Sequence, residues 1–153
     1  MLNHAFMNSL CGVLHIIANE TYILSVLFED EIGQENPNQI TNQCVEQLNE
    51  YFLGIRKSFD LPLYFNQGTM FQQSVWHSLL DIPYGETRSY QDIADRIQHP
   101  RSERAVGMAN HHNPFPIIIP CHRVILKSGK LGGYGGGIDK KIVLLELEKK
   151  FID

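Results

Sequence analysis

The stretch Arg101–Val124, RSERAVGMANHHNPFPIIIPCHRV, decides how the second half of this chain is read. Its first part reads as a helix, with Ser102 placed to cap it and Ala105, Met108 and Ala109 as the buried-side candidates. Its second part sets three isoleucines between prolines and runs straight into Cys121-His122-Arg123, which reads as a buried strand ending at a pocket. A cysteine there admits three readings: an inert core residue, a metal ligand or a nucleophile.

Immediately upstream, Ser89 can cap a helix with Asp92 three residues on and Ile93, Ala94 and Ile97 along one face. His99-Pro100 ends it. Two short helices with a brief break between them, the second rich in small residues and arginine, resemble a helix-turn-helix. Further upstream, Phe71, Val75, Leu79 and Leu80 mark a helix that stops before the turn Ile82-Pro83-Tyr84-Gly85. Downstream, LGGYGGGIDK is a loop whose glycines permit close backbone approach to a ligand. The last segment, KKIVLLELEKKF, is a helix with Ile142, Leu145 and Leu147 or Glu148 on adjacent faces.

The first half has a different character. VLHIIANETYILSVLFED reads as a β-hairpin around Asn19-Glu20. Ile40, Cys44, Leu48, Phe52 and Ile55 form a helical stripe, on which Cys44 is a small buried hydrophobe. LPLYFNQG, Leu61 to Gly68, reads as the connection between the halves.

With 153 residues the chain suits one compact domain or two small ones, and 43% apolar with 20% charged residues is ordinary for a globular protein. No apolar run is long enough to span a bilayer, and the N-terminus lacks a secretory pattern, so a cytoplasmic protein is expected. Three cysteines offer no disulfide framework and no CxxC pair for zinc. The net charge of −4 is uneven: residues 1–69 hold two basic and eight acidic residues, whereas residues 70–153 hold eleven and nine. Any contact with a polyanion therefore belongs to the second half.

Residue types alone leave the site undecided. His122 could activate Cys121 only through a turn or a bridging water, since neighbours on a strand face apart. Glu148 could orient that imidazole from the last helix, although its plainer reading is a solvated charge beside Lys149 and Lys150. His111 and His112 are adjacent, a poor arrangement for a metal. Tyr90 and Arg104 read as ordinary helix residues, a packed ring with a wet hydroxyl and a phosphate-facing guanidinium.

The order of Phe71-Gln72, Val75-Trp76, Ile82-Pro83-Tyr84-Gly85, SYQDIA, RAVGMANHHNP, IPCHRV, GGYGGG and KKIVLLELE closely resembles the methylated-DNA–protein-cysteine methyltransferases, over Gly68 to Glu148. The N-terminal half is similar only in its hairpin-then-helix order and in YFLGIRKSFDLPL. The resemblance implies an α/β (α+β) chain: a ribonuclease H-like supporting domain at residues 1–67, then at 68–153 a mainly α, winged helix-turn-helix-like domain that enters the minor groove. It implies that Cys121 accepts an alkyl group from O6-alkylguanine, and from O4-alkylthymine, in duplex DNA, once per molecule. His122 becomes a water-mediated base, Glu148 its orienting partner and Asn113 the holder of the turn before the acceptor.

By the same resemblance Arg104 fills the space of a flipped nucleotide, and Tyr90 contacts the flipped base and the adjacent phosphate. Tyr134 and the Gly135 backbone line the guanine pocket, and the Val124 carbonyl accepts the exocyclic amine. Ala105 and Gly107 let the helix approach the groove, and Arg123 is grouped with the substrate- and DNA-binding positions. Arg88, Arg96, Arg101, Lys127 and Lys130 are available for phosphates.

Two departures stand out. Gly135 replaces a serine found in some relatives, and Cys11, His4 and His15 do not reproduce a zinc set known in others. No metal and no cofactor are expected, and the protein is expected to act as a monomer, associated with the nucleoid when bound to DNA. A damage-binding protein lacking chemistry, a helix-turn-helix regulator and a thiol hydrolase are the competing readings. The first lacks the acceptor cysteine, the second leaves PCHRV unexplained, and the third has no need of a recognition helix.

Overall fold

The computed structural model describes residues 1–152. Backbone proximity divides the chain into two units, Met1–Phe65 and the residues from Asn66 onward.

In the first unit, β1 (Asn3–Ser9), β2 (Gly12–Ala18) and β3 (Ile23–Glu29) form an antiparallel sheet in that order. The hairpin expected from the sequence is β2–β3, and the sheet gains β1 in front of it. β1 was hard to see because NHAFMNS is half polar and only Ala5 and Met7 turn inward. Segment 33–36 runs along β1: the His4 N–H donates to Asn36 Oδ1 (2.8 Å), the Asn36 N–H donates to His4 O (3.0 Å), and the Phe6 N–H donates to Glu35 Oε1 (3.0 Å). Such cover protects an edge strand from pairing with another chain. Helix α1 (Gln39–Phe52) starts in a capping box between Asn38 and Thr41 and buries Cys44, Leu48 and Tyr51. Ile55 falls beyond its end and is exposed, so the expected stripe is one turn too long.

The second unit contains α2 (Met70–Leu79), α3 (Tyr90–Arg96), α4 (Glu103–His111) and α5 (Ile138–Phe151). Two short strands, β4 (Arg88–Ser89) and β5 (Val124–Ile125), pair in parallel. Val75, Trp76, Leu79, Ile93, Val106, Ala109, Phe115, Ile119 and Leu144 make its core. The Trp76 indole N–H donates to the Ala109 carbonyl at 2.8 Å, tying α2 to α4. Ser89 and Asp92 form the expected cap of α3.

Three expectations are corrected in this unit. Ser102 makes no side-chain cap bond. The buried face of α4 is Val106 and Ala109, while Ala105 and Met108 face solvent. On α5 the buried positions are Lys141, Leu144, Leu147 and Glu148, with Ile142 partly exposed.

The run PFPIIIP is not a strand either. Ile117 sits at φ +75° while 99% buried, and the Ile119 N–H donates back to Phe115 O at 2.8 Å, closing a tight loop. Positive φ at a β-branched residue is a strained conformation that surrounding contacts must impose. Here Asn113 imposes it: its Nδ2 donates to Ile119 O (2.9 Å) and its Oδ1 accepts from the Phe115 N–H (2.9 Å).

Candidate active site

The Asn113-stitched loop delivers Cys121 as the first residue of a single 3-10 turn, Cys121–Arg123, that leads into β5. The turn removes the strand geometry that would have sent Cys121 and His122 to opposite faces. The Cys121 N–H donates to Ile119 O at 2.7 Å. Burial pushes the Cys121 thiol above its ordinary value; hydrogen bonds from Asn113 and Tyr134 and the nearby charge of Lys141 pull the other way without cancelling it.

His122 is fully buried, with Nε2 2.6 Å from Glu148 Oε2. Its Nδ1 has no protein partner among the described residues. Burial lowers the pKa of the ring against the opposing pull of Glu148, so the imidazole is held neutral. Glu148 also accepts from Arg123 Nε (2.8 Å), from Arg123 Nη2 (3.0 Å) and from the Gly85 N–H (3.0 Å). Burial pushes this carboxyl up, but His122 and Arg123 outweigh it and hold it well below the usual carboxylate range. Arg123 Nη1 donates to Ile82 O (2.7 Å), and the guanidinium lies 5.6 Å from the Tyr84 ring centre. Its expected place among substrate and DNA contacts is therefore corrected: the guanidinium is buried and locks Glu148.

In front of Cys121 opens a cavity of about 910 Å³, bordered by Tyr90, Arg104, Gly107, Tyr134 and Gly135 along with the cysteine. Six of the expected positions thus meet at one space. Behind it stand Asn113, His122, Arg123 and Glu148, and Ala105 lies on the outward face of α4. Tyr90 opens α3, and burial followed by the neighbouring Cys121 keeps its phenol protonated to higher pH than usual. A Cβ on Gly132 would lie 3.0 Å from the Tyr90 hydroxyl.

Lys141 is the residue that sequence reasoning missed. Its ammonium is buried and donates to Val124 O (2.6 Å), to Leu131 O and to Gly133 O (3.1 Å). The Val124 carbonyl expected to face substrate is thus already engaged, with one lone pair left to offer. Burial lowers the Lys141 pKa to about 8, with the Cys121 charge opposing. The signal was present: Lys141, Leu144 and Glu148 share one helical stripe, and a lysine on a buried stripe needs acceptors.

Residues 70–150 match the family described as "6-O-methylguanine DNA methyltransferase, DNA binding domain", and residues 2–65 match that family's "ribonuclease-like domain". A methylated-DNA–protein-cysteine methyltransferase of Mycobacterium bovis is 64% identical over 106 residues, covering 69% of this chain and 64% of the relative. In that alignment the chain spans just under two thirds of the relative's length. The counterpart from Mycolicibacterium paratuberculosis is 43% identical over 98% of this chain and 94% of its own length. The crystal structure of Mycobacterium tuberculosis OGT in complex with DNA is 46% identical, superposes with a TM-score of 0.89, and covers 97% of this chain and 93% of that one. The α/β class and the ribonuclease-like N-terminal unit agree with the sequence reading.

Proposed function

Because this chain belongs to the methylated-DNA–protein-cysteine methyltransferase family, we propose that it repairs DNA by moving the alkyl group of an O6-alkylguanine onto Cys121 Sγ. The observation that carries this reading is a buried cysteine held by Asn113 at the wall of a cavity that the helix-turn-helix also borders.

His122 Nδ1 takes the thiol proton through a water, Glu148 having fixed the proton on Nε2. The thiolate attacks the alkyl carbon, the S–C bond forms, and the C–O6 bond breaks with its electron pair left on guanine. The neutral Tyr90 hydroxyl donates a hydrogen bond to the guanine ring as that charge develops, and the His122 imidazolium returns its proton through water to the departing guanine. Backbone N–H groups at Tyr134 and Gly135 face O6, and the free lone pair of Val124 O accepts the exocyclic amine. A thioether has no route back to thiol here, so each molecule acts once. O4-alkylthymine, with the same kind of alkylated oxygen, is a second substrate.

The target oxygen is out of reach in a stacked duplex, so the nucleotide is extruded through the minor groove and Arg104 occupies its place. Ala105 and Gly107 keep the outer side of α4 low, and the cations of the second half contact phosphates. Residues 1–67 support and residues 68–153 carry the chemistry. The protein acts as a monomer, in a reducing cytoplasmic setting that preserves the thiol.

The test is mass spectrometry of the intact protein and its Cys121 peptide after incubation with an O6-methylguanine duplex. One methylene gained on that peptide, stoichiometrically and not in Cys121→Ser, is expected. DNA binding without any mass gain overturns the reading in favour of a damage binder.

A further inference from the structure

Helix α4 has a buried side, Val106 and Ala109, and an outward stripe of Arg104, Ala105, Met108 and His111. Arg104, Met108 and His111 border the cavity at Cys121. Met108 is 56% exposed and stands one turn after Arg104. Leu126, also exposed, borders the same cavity, so Met108 and Leu126 add two exposed apolar side chains to a rim that otherwise carries Arg104, His111 and Lys127. The packing of α4 does not use Met108.

We propose that Met108 is a second wedge, packing its thioether chain on the base next to the extruded nucleotide while Arg104 fills the vacated position. This rests on the functional reading above. One turn advances about 5.4 Å along the helix, less than two base steps of about 3.4 Å each. With Arg104 at the gap, the Met108 backbone therefore lies within two steps of it, and its long unbranched side chain can reach back to the adjacent base. Apolar side chains, methionine among them, are the groups that hold open an unstacked step. An unbranched thioether also fits an irregular surface better than a β-branched chain does. Met108 is a DNA-positioning residue, since it acts on the stack and not on the reacting atoms.

The experiment compares wild type, Met108→Ala and Met108→Leu on two substrates: a duplex carrying O6-methylguanine beside 2-aminopurine, and the free O6-methylguanine base. Rates come from methylation of the Cys121 peptide, and 2-aminopurine fluorescence reports unstacking. Met108→Ala is expected to slow the duplex reaction roughly five- to tenfold more than the free-base reaction. It also diminishes the fluorescence rise, and Met108→Leu restores both, with thermal midpoints unchanged. Equal slowing on the two substrates would make Met108 a pocket wall and overturn the wedge, as would a Met108→Ala protein identical to wild type. A wild-type protein inert to both substrates overturns the functional reading, and the wedge with it.

Discussion

Glu148 Oε2 lies 2.6 Å from His122 Nε2, and this contact decides which nitrogen of the ring is basic. The carboxyl is held ionised by His122 and Arg123 against the effect of burial, so it can only accept. The proton must therefore sit on Nε2. That leaves the lone pair on Nδ1, the nitrogen with no protein partner among the described residues. Arg123, bonded to both carboxylate oxygens, keeps the acid from rotating away.

Glu148→Gln breaks this arrangement twice. It leaves the Arg123 charge buried without a counter-charge, and its amide can donate to Nε2 and move the ring proton to Nδ1. Breaking a buried pair by removing one partner costs about 3–5 kcal/mol. The expected result is a urea midpoint lowered to match and alkyl transfer slowed by about 100-fold or more, a loss of the size general-base catalysis supplies. A variant that transfers at the wild-type rate would remove Glu148 from the proton path.

Acid should unfold the protein through the same pair. The folded-state value of His122 is depressed, chiefly by burial, so the unfolded ring takes up a proton that the buried ring resists. That stability is present above the unfolded value of about 6.5 and is lost as pH falls below it. Glu148, also depressed in the fold, adds a second loss below the ordinary glutamate value of about 4.3. Urea denaturation at several pH values should show stability falling from about pH 6.5 downward and more steeply below about 4.3. A flat profile over that range would contradict the assignment.

Much of this was legible in the sequence, and what was not has identifiable causes. A short-range signal held where Ser89 with Asp92 caps α3, whereas the meeting of Tyr90, Arg104 and Tyr134 at one cavity with Cys121 was implied only by the family resemblance. The PFPIIIP run misled because three isoleucines carry strand propensity, whereas Asn113 and the flanking prolines fold them into a loop at positive φ. Ala105 and Met108 were placed inside because an alanine or methionine carries no mark of which helical face it occupies. Arg123 looked like a DNA contact because nothing local announces a carboxylate 25 residues away. Lys141 was marked only by its place on the stripe of Leu144 and Glu148; which groups satisfy it was not legible, because its acceptors are backbone carbonyls.

Two glycines bordering the cavity should respond oppositely to alanine. Gly107 is helical, and a Cβ there would meet only the Tyr90 ring, at 3.8 Å, an ordinary contact. Gly107→Ala should raise stability by about 0.5–1 kcal/mol while slowing the duplex reaction by crowding the groove. Gly132 has φ +70°, and its Cβ would press on the Tyr90 hydroxyl at 3.0 Å. Gly132→Ala should lower stability by about 1–2 kcal/mol and slow transfer from the free base as well. Calorimetry with paired duplex and free-base rates separates the two cases.

Lys141→Met tests whether the buried ammonium matters to the reaction. The substitution preserves the stem but leaves the carbonyls of Val124, Leu131 and Gly133 without their donor. It also removes the positive charge that favours the Cys121 thiolate. Below about pH 8 Lys141 is charged, so the two proteins should differ most there; above it the wild-type residue itself becomes neutral and the charge effect fades. The expected outcome is a rate about tenfold or more lower at pH 7, a smaller ratio at pH 9, and faster hydrogen exchange across residues 128–135. A rate ratio that stays constant from pH 7 to pH 9 would assign Lys141 to loop support alone, and an unchanged rate at pH 7 would deny it either role.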